Sequence, residues 1–231
     1  MNVIRNSVVE PSIELHTPTE LGQIDLNFAL ARIKNTPAGA ALLNEIRENS
    51  IKTKQVRIIA TPLESNQVYP ELSHKQMEHM PREVMVYPEM REFKARNFAL
   101  KKGVFKGEGA SARIIYNRSR VDSSVFGIRD EEFIAEFNEN GVGLPNNDPT
   151  LFNNLVHAMR ILKGTYTDDN TLEGREDEEV RAIGNGDYKA FPISENQFRQ
   201  QIGFPLRAYY PEPTNDQSRP LMQRPGLMPP Q

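Results

Sequence analysis

The sequence predicts an α+β fold, and three observations carry that expectation. Apolar residues recur at helical spacing in stretches that begin on capping residues. Short β-branched runs bounded by turn residues lie between them. A chain of 231 residues suits a single compact domain of about 150 to 200 residues with tails.

Taken in order, residues 1–20 are polar and lack sustained periodicity. They are expected to form a flexible N-terminal segment, with room for a secretion signal. Residues 21–49 turn helical, with Leu26, Leu30 and Ile33 at spacings of four and three. Thr36 and Pro37 interrupt that pattern and suit the cap and first position of a second helix, whose apolar stripe is Leu42, Leu43 and Ile46. Residues 55–60 are a short β-branched run and predict a strand. Residues 62–97 hold four prolines and many charges and predict an insertion or long loop. Strands are expected at 98–100, 104–105 and 113–116, with Gly107, Glu108 and Gly109 as the turn before the last. Residues 133–137 predict a short helix. An acidic helix is expected from Glu176 to Ile183, ended by Gly184. Ser194 and Gln197 have the spacing of a capping box that opens a helix running to Ile202. Residues 211–231 contain six prolines and are expected to be an extended tail, which leaves 21–210 as the folded domain.

Composition removes several function classes. A net charge of −3 with a pI near 5.9 makes no electrostatic case for a nucleic-acid or membrane partner. No cysteine is present, which excludes disulfides, thiolate metal sites and Cys nucleophiles. No apolar run approaches the roughly 18 to 20 residues of a membrane span, and residues 1–19 lack the continuous apolar core of a secretory signal.

The best-defined element is the helix predicted from Asp148. Asp148 suits its cap, Pro149 its first turn, and Lys163 with Gly164 its end. Leu151, Phe152, Leu155, Met159 and Leu162 share one face, while Asn153, His157, Arg160 and Gly164 share another. Such a polar stripe faces either a cleft or solvent. A zinc-protease helix carries two histidines at i and i+4 with a glutamate beside the first. Here Asn153 stands at the first histidine position, Asn154 at the glutamate position and His157 at the second histidine position.

Other segments extend this likeness. Thr36, Gly39, Leu42 and Leu43, the turn of Gly107 and Gly109, Glu178–Glu179–Val180–Arg181 with Gly184, and Ser194–Glu195–Asn196 with Arg199, Gly203, Pro205 and Arg207 together resemble the NleD-type family of type III secreted effector zinc metallopeptidases. The resemblance spans residues 30–215. It implies a zincin-like fold, zinc as cofactor, and a bacterial protein delivered through a type III secretion system into the host cytoplasm. It also implies cleavage of host MAP kinases, and it places the third zinc ligand at Glu178 or Glu179.

The departures bear on that chemistry. Asn154 has no titratable proton and cannot act as the general base. Asn153 offers a neutral amide, a weak zinc donor. His157 with one of Glu178 and Glu179 leaves two good ligands where three are the norm, so zinc is expected to bind weakly or not at all. Two functional readings follow. The chain is a pseudoprotease that binds a host signalling protein such as a MAP kinase, or it remains a zinc endopeptidase with replacement ligands. Arg160 either pairs with Glu178 or Glu179, supplying the charge that zinc gives elsewhere, or extends to solvent. His74 and His79 are five apart, match no zinc motif, and predict a solvated loop. His16 is expected to be inert.

Overall fold

Helix α1 (Glu20–Lys34) begins where Thr19 accepts a hydrogen bond from the Gly22 amide, and α2 (Pro37–Asn49) begins on Thr36, which accepts from Gly39. Each cap satisfies an amide that has no partner within its helix. The buried faces are Leu26, Ala29, Leu30 and Ile33 on α1 and Ala38, Gly39, Leu42, Leu43 and Ile46 on α2. The helices approach so closely that a Cβ at Gly39 would lie 1.8 Å from the Ile33 carbonyl oxygen.

The computed structural model describes residues 3–50, 53–61, 66–117, 147–204 and 206–207. Against the helices lies a sheet of β1 (Val3–Asn6), β2 (Ile13–Thr17), β3 (Val56–Ala60), β4 (Gln67–Glu71) and β5 (Ser111–Tyr116). Its order is β1-β2-β3-β5-β4. β2, β3 and β5 run parallel, and the two edge strands pair antiparallel. Helices α1 and α2 form the crossover between β2 and β3, as a parallel pair requires. The remaining helices are α3 (His74–Glu78), α4 (Arg82–Val86), α5 (Pro88–Ala99), α6 (Asp148–Leu162), α7 (Leu172–Ile183) and α8 (Glu195–Gln201). The fold is α+β.

Ile13, Leu15, Val56, Ile58 and Ile114 from the sheet meet Leu30, Ile33, Leu42 and Ile46 and the apolar side of α6 in one core. Phe152 of α6 stacks on Phe198 of α8 with ring centroids 4.5 Å apart. Apart from Thr150, every residue of α6 is buried, so its polar stripe faces neither an open cleft nor solvent.

Several expectations are corrected. Val3–Asn6 and Ile13–Thr17 form strands, and Ile13, Leu15 and Thr17 are buried on alternate positions. That short alternation is masked by the polar residues around it. Residues 62–97 are not one long loop: β4, α3, α4 and α5 lie there. Ser73 and Gln76 close a capping box on α3, and Pro88 occupies the first turn of α5, where its missing N–H costs nothing. Phe98 belongs to α5 rather than to a strand. Leu100 makes a single bridge to Tyr166, and Val104 and Phe105 sit in a tight turn. Asp148 is the first residue of α6 and Asn147 its cap. The Asp148 carboxylate is held instead by Arg32, at 2.6 and 2.9 Å. The helix from Ser194 ends at Gln201. The short helix at 133–137 and the proline-rich tail lie outside the described residues.

Candidate functional site: a buried ion-pair network

α6, α7 and α8 meet over the polar stripe. His157 and Arg160 project from consecutive turns of α6 toward α7, whose start is fixed by the Thr171 cap and whose end is fixed by left-handed Gly184 at φ 80°. A Cβ at Gly184 would lie 2.4 Å from Ser194 Oγ, so this glycine lets the α8 entry lie against the end of α7.

His157 is held on both sides. Its Nδ1 is 3.1 Å from Glu178 Oε1 and its Nε2 is 3.0 Å from Glu179 Oε2. Arg160 Nε donates to the same Glu178 Oε1 at 2.7 Å, and its Nη2 donates to the Thr165 carbonyl at 2.7 Å. The second Glu178 oxygen accepts from the amide and hydroxyl of Thr167, both at 2.9 Å. The network continues through Arg207, whose Nη1 lies 3.3 Å from Glu179 Oε1 and 3.1 Å from Glu195 Oε2. Glu195 also accepts from Asn153 at 3.0 Å and from Arg199 Nε at 2.6 Å. Tyr166 sets its ring edge-on to His157 at 6.3 Å.

Most of these groups are out of water: Glu178 is 2 % exposed and Glu195 and Arg199 0 %, while Glu179 is partly exposed. Burial alone would favour a neutral His157. The hydrogen bonds and charges of Glu178 and Glu179 outweigh it and push the imidazole up to about 10, so His157 is an imidazolium at neutral pH. Burial pushes Glu178 and Glu179 upward as well. His157 outweighs it for both, helped by Arg160 at Glu178 and by Arg207 at Glu179, and both carboxyls end below their ordinary value. Burial and the neighbouring Glu178 raise the Tyr166 phenol well above its usual range.

The predicted site residues therefore do converge. His157, Glu178 and Glu179 are in contact, Arg160 takes the ion-paired alternative, and Asn153 joins the same network through Glu195. Asn154 is buried, but its amide nitrogen has no hydrogen-bond partner among the described residues, and it does not enter the network. Glu195, Arg199, Arg207 and Thr167 are site residues that the sequence reading does not place there. Their signal was available: Glu195 and Arg199 are charged residues one turn apart in a helix beginning on a buried cap, and Arg207 closes the same motif. His16 is not isolated, since it hydrogen-bonds Glu14 on β2. His74 begins and His79 caps α3; both are exposed.

As placed here, the donor groups are engaged with one another rather than open to a zinc ion. A histidine ligand must present a neutral nitrogen, and both His157 nitrogens donate to carboxylates. Glu178, Glu179 and Glu195 are matched by His157, Arg160, Arg199 and Arg207, so a divalent cation would enter a cluster whose anions are already neutralised. Among the described residues no group of three His, Cys, Asp or Glu side chains is arranged to hold a metal ion. No described helix is long and apolar enough to cross a membrane.

Compared with family models, with curated proteins and with solved structures, the chain matches none of them.

Proposed function

We propose that this chain is a pseudoprotease: a degenerate relative of the NleD-type effector zinc metallopeptidases that acts in a host cell, after type III secretion, by binding a signalling protein without cutting it. The observation that supports this reading is His157 clamped between Glu178 and Glu179, with Arg160 on the same carboxylate. In an active zinc peptidase the metal polarises both the scissile carbonyl and its bound water, and a glutamate moves the proton. Here an imidazolium and a guanidinium take up the carboxylate charge, and Asn154 stands where the base is required. The resemblance supplies the partner class, a host MAP kinase.

The second reading, a zinc endopeptidase cleaving such a kinase, is favoured by one observation only: the residues that the resemblance implies as ligands lie together. It requires His157 to lose its proton and release at least one carboxylate.

The test is metal analysis of the full chain after zinc loading and dialysis, with His157→Ala as control, alongside incubation with a MAP kinase with and without chelator. The expected result is no retained zinc and intact kinase captured equally in both conditions. One zinc per chain, absent from His157→Ala, together with chelator-sensitive cleavage, overturns the proposal. Failure to capture the kinase overturns the partner.

A further inference from the structure

Directly after α5 the chain makes a projecting turn with an unusual surface. Lys102 and Phe105 exchange main-chain hydrogen bonds at 2.9 and 3.0 Å, and Gly103 turns the corner at φ 61° with nothing within 4 Å of where a Cβ would stand. The base is fixed. The Lys101 amide donates to the Tyr166 carbonyl at 2.9 Å and the Gly107 amide to the Gly164 carbonyl at 2.7 Å, so both ends are tied to the segment that follows α6. The tip between them carries Val104, 85 % exposed, and Phe105, 75 % exposed. Lys101, Lys102 and Lys106 surround these two residues; all three are exposed, and none pairs with an acidic side chain among the described residues.

Neither half of this arrangement serves the fold. Exposed apolar side chains at a tip contribute nothing to the core, and a well-anchored turn holds them in water at a standing cost. Helix α5, leading into the turn, repeats the combination: Met90 and Phe93 are exposed next to Lys94, which is also exposed. Across residues 91–106, Arg91, Lys94, Lys101, Lys102 and Lys106 stand against a single acidic residue, Glu92, in a chain whose net charge is −3; Arg96 is buried and paired with Asp168. The whole-chain charge averages this patch away.

We propose that the turn at residues 101–106 is a membrane-surface contact, inserting Val104 and Phe105 at the headgroup–acyl boundary of a bilayer rich in anionic lipid while the three lysines engage the headgroups. Convexity and composition favour this occupant. A projecting tip needs a soft surface to enter rather than a shaped cavity, and apolar residues ringed by lysines match both the hydrocarbon and the negative charge of such a leaflet. A single-stranded nucleic acid would ask for a series of stacking rings, and the tip carries one, Phe105, beside an aliphatic Val104. This contact is independent of the buried network and of the peptidase resemblance.

The chain has no tryptophan, so Phe105→Trp places a single reporter at the tip. The full chain is mixed with vesicles of phosphatidylcholine alone and of equal parts phosphatidylcholine and phosphatidylserine. Expected are co-sedimentation with the anionic vesicles only and a blue shift of the Phe105→Trp emission, quenched by brominated lipid. Val104→Ser with Phe105→Ser should abolish the binding. Replacing Lys101, Lys102 and Lys106 together by Gln should weaken it on the order of a hundredfold, at about fivefold for each charge near an anionic surface. The proposal is overturned if the intact chain does not sediment with anionic vesicles. It is equally overturned if the chain binds them with no emission change at the tip, which would point to a purely electrostatic attraction of the kind an acidic protein surface also exerts.

Discussion

Arg160 Nε donates to Glu178 Oε1 at 2.7 Å, placing a fixed positive charge on one of the two carboxylates that the peptidase resemblance offers to a metal. The pair is buried on both sides, with side-chain exposures of 11 % and 2 %. Removing one partner of such a pair leaves an uncompensated charge in a poorly solvated setting, which costs far more than the intact pair contributes.

Arg160→Ala is therefore expected to destabilise the protein by about 3 kcal/mol, read as a lower urea midpoint with an unchanged slope. Combined with Glu178→Gln in a double-mutant cycle, it should show a coupling of about 1–3 kcal/mol. An unchanged midpoint would mean that Arg160 does not hold this carboxylate.

Stability should vary with pH in a defined direction. The folded imidazole of His157 is raised from 6.5 to about 10, so its contribution is fully present below about 6.5 and is lost as pH climbs toward 10. Glu178 and Glu179 are lowered from 4.5, so theirs is present above about 4.5 and is lost as pH falls below it. The network thus stabilises most between about pH 4.5 and 6.5. Melting temperature measured against pH, compared with the same curve for His157→Gln, should show an alkaline decline that the variant lacks.

Asn153 donates its amide to Glu195 Oε2 at 3.0 Å. Asn153→Asp keeps the shape and sets a second carboxylate against the first. It is expected to cost on the order of 2 kcal/mol at neutral pH, because neighbouring carboxylates cannot both ionise freely. Denaturant unfolding should show that penalty shrinking as the pH is lowered and the new group protonates. A pH-independent loss would instead indicate a packing fault.

Gly39→Ala probes the junction of α1 and α2. The added carbon would meet the Ile33 carbonyl oxygen at 1.8 Å, and the contact is with backbone, so the helices must separate. A loss of about 2–3 kcal/mol is expected, measured by calorimetry. A neutral result would show that the two helices are not packed this closely.

How much of this was legible beforehand depended on whether the signal was local. The Thr36 cap, the β3 and β5 runs, the start and stop of α6 and the Gly184 terminus each reside in a few adjacent residues, and each was read close to its observed position. Strand β2 is hard to read locally because Ile13, Leu15 and Thr17 are a short alternation among polar neighbours, and its burial comes from α1, which follows it, and from β3, which is distant in sequence. Helix α5 does not stand out in the sequence because its surface is charged and two prolines lie within eight residues of its start, Pro81 and Pro88.

At the site the division is the same. The residue types alone dictate the chemical losses: with asparagine at positions 153 and 154, no ligand imidazole and no general base exist there in any conformation. The sequence also puts His157 and Arg160 on one helical face, because three residues are nearly one turn. What that face meets is set by how the helices pack. Whether Arg160 reached solvent or Glu178, and whether His157 kept a free nitrogen or lost both to carboxylates, turned on how α7, α8 and Arg207 pack over α6. Burial makes that choice, since a carboxylate removed from water must take its partner from whatever charge the fold has brought within reach.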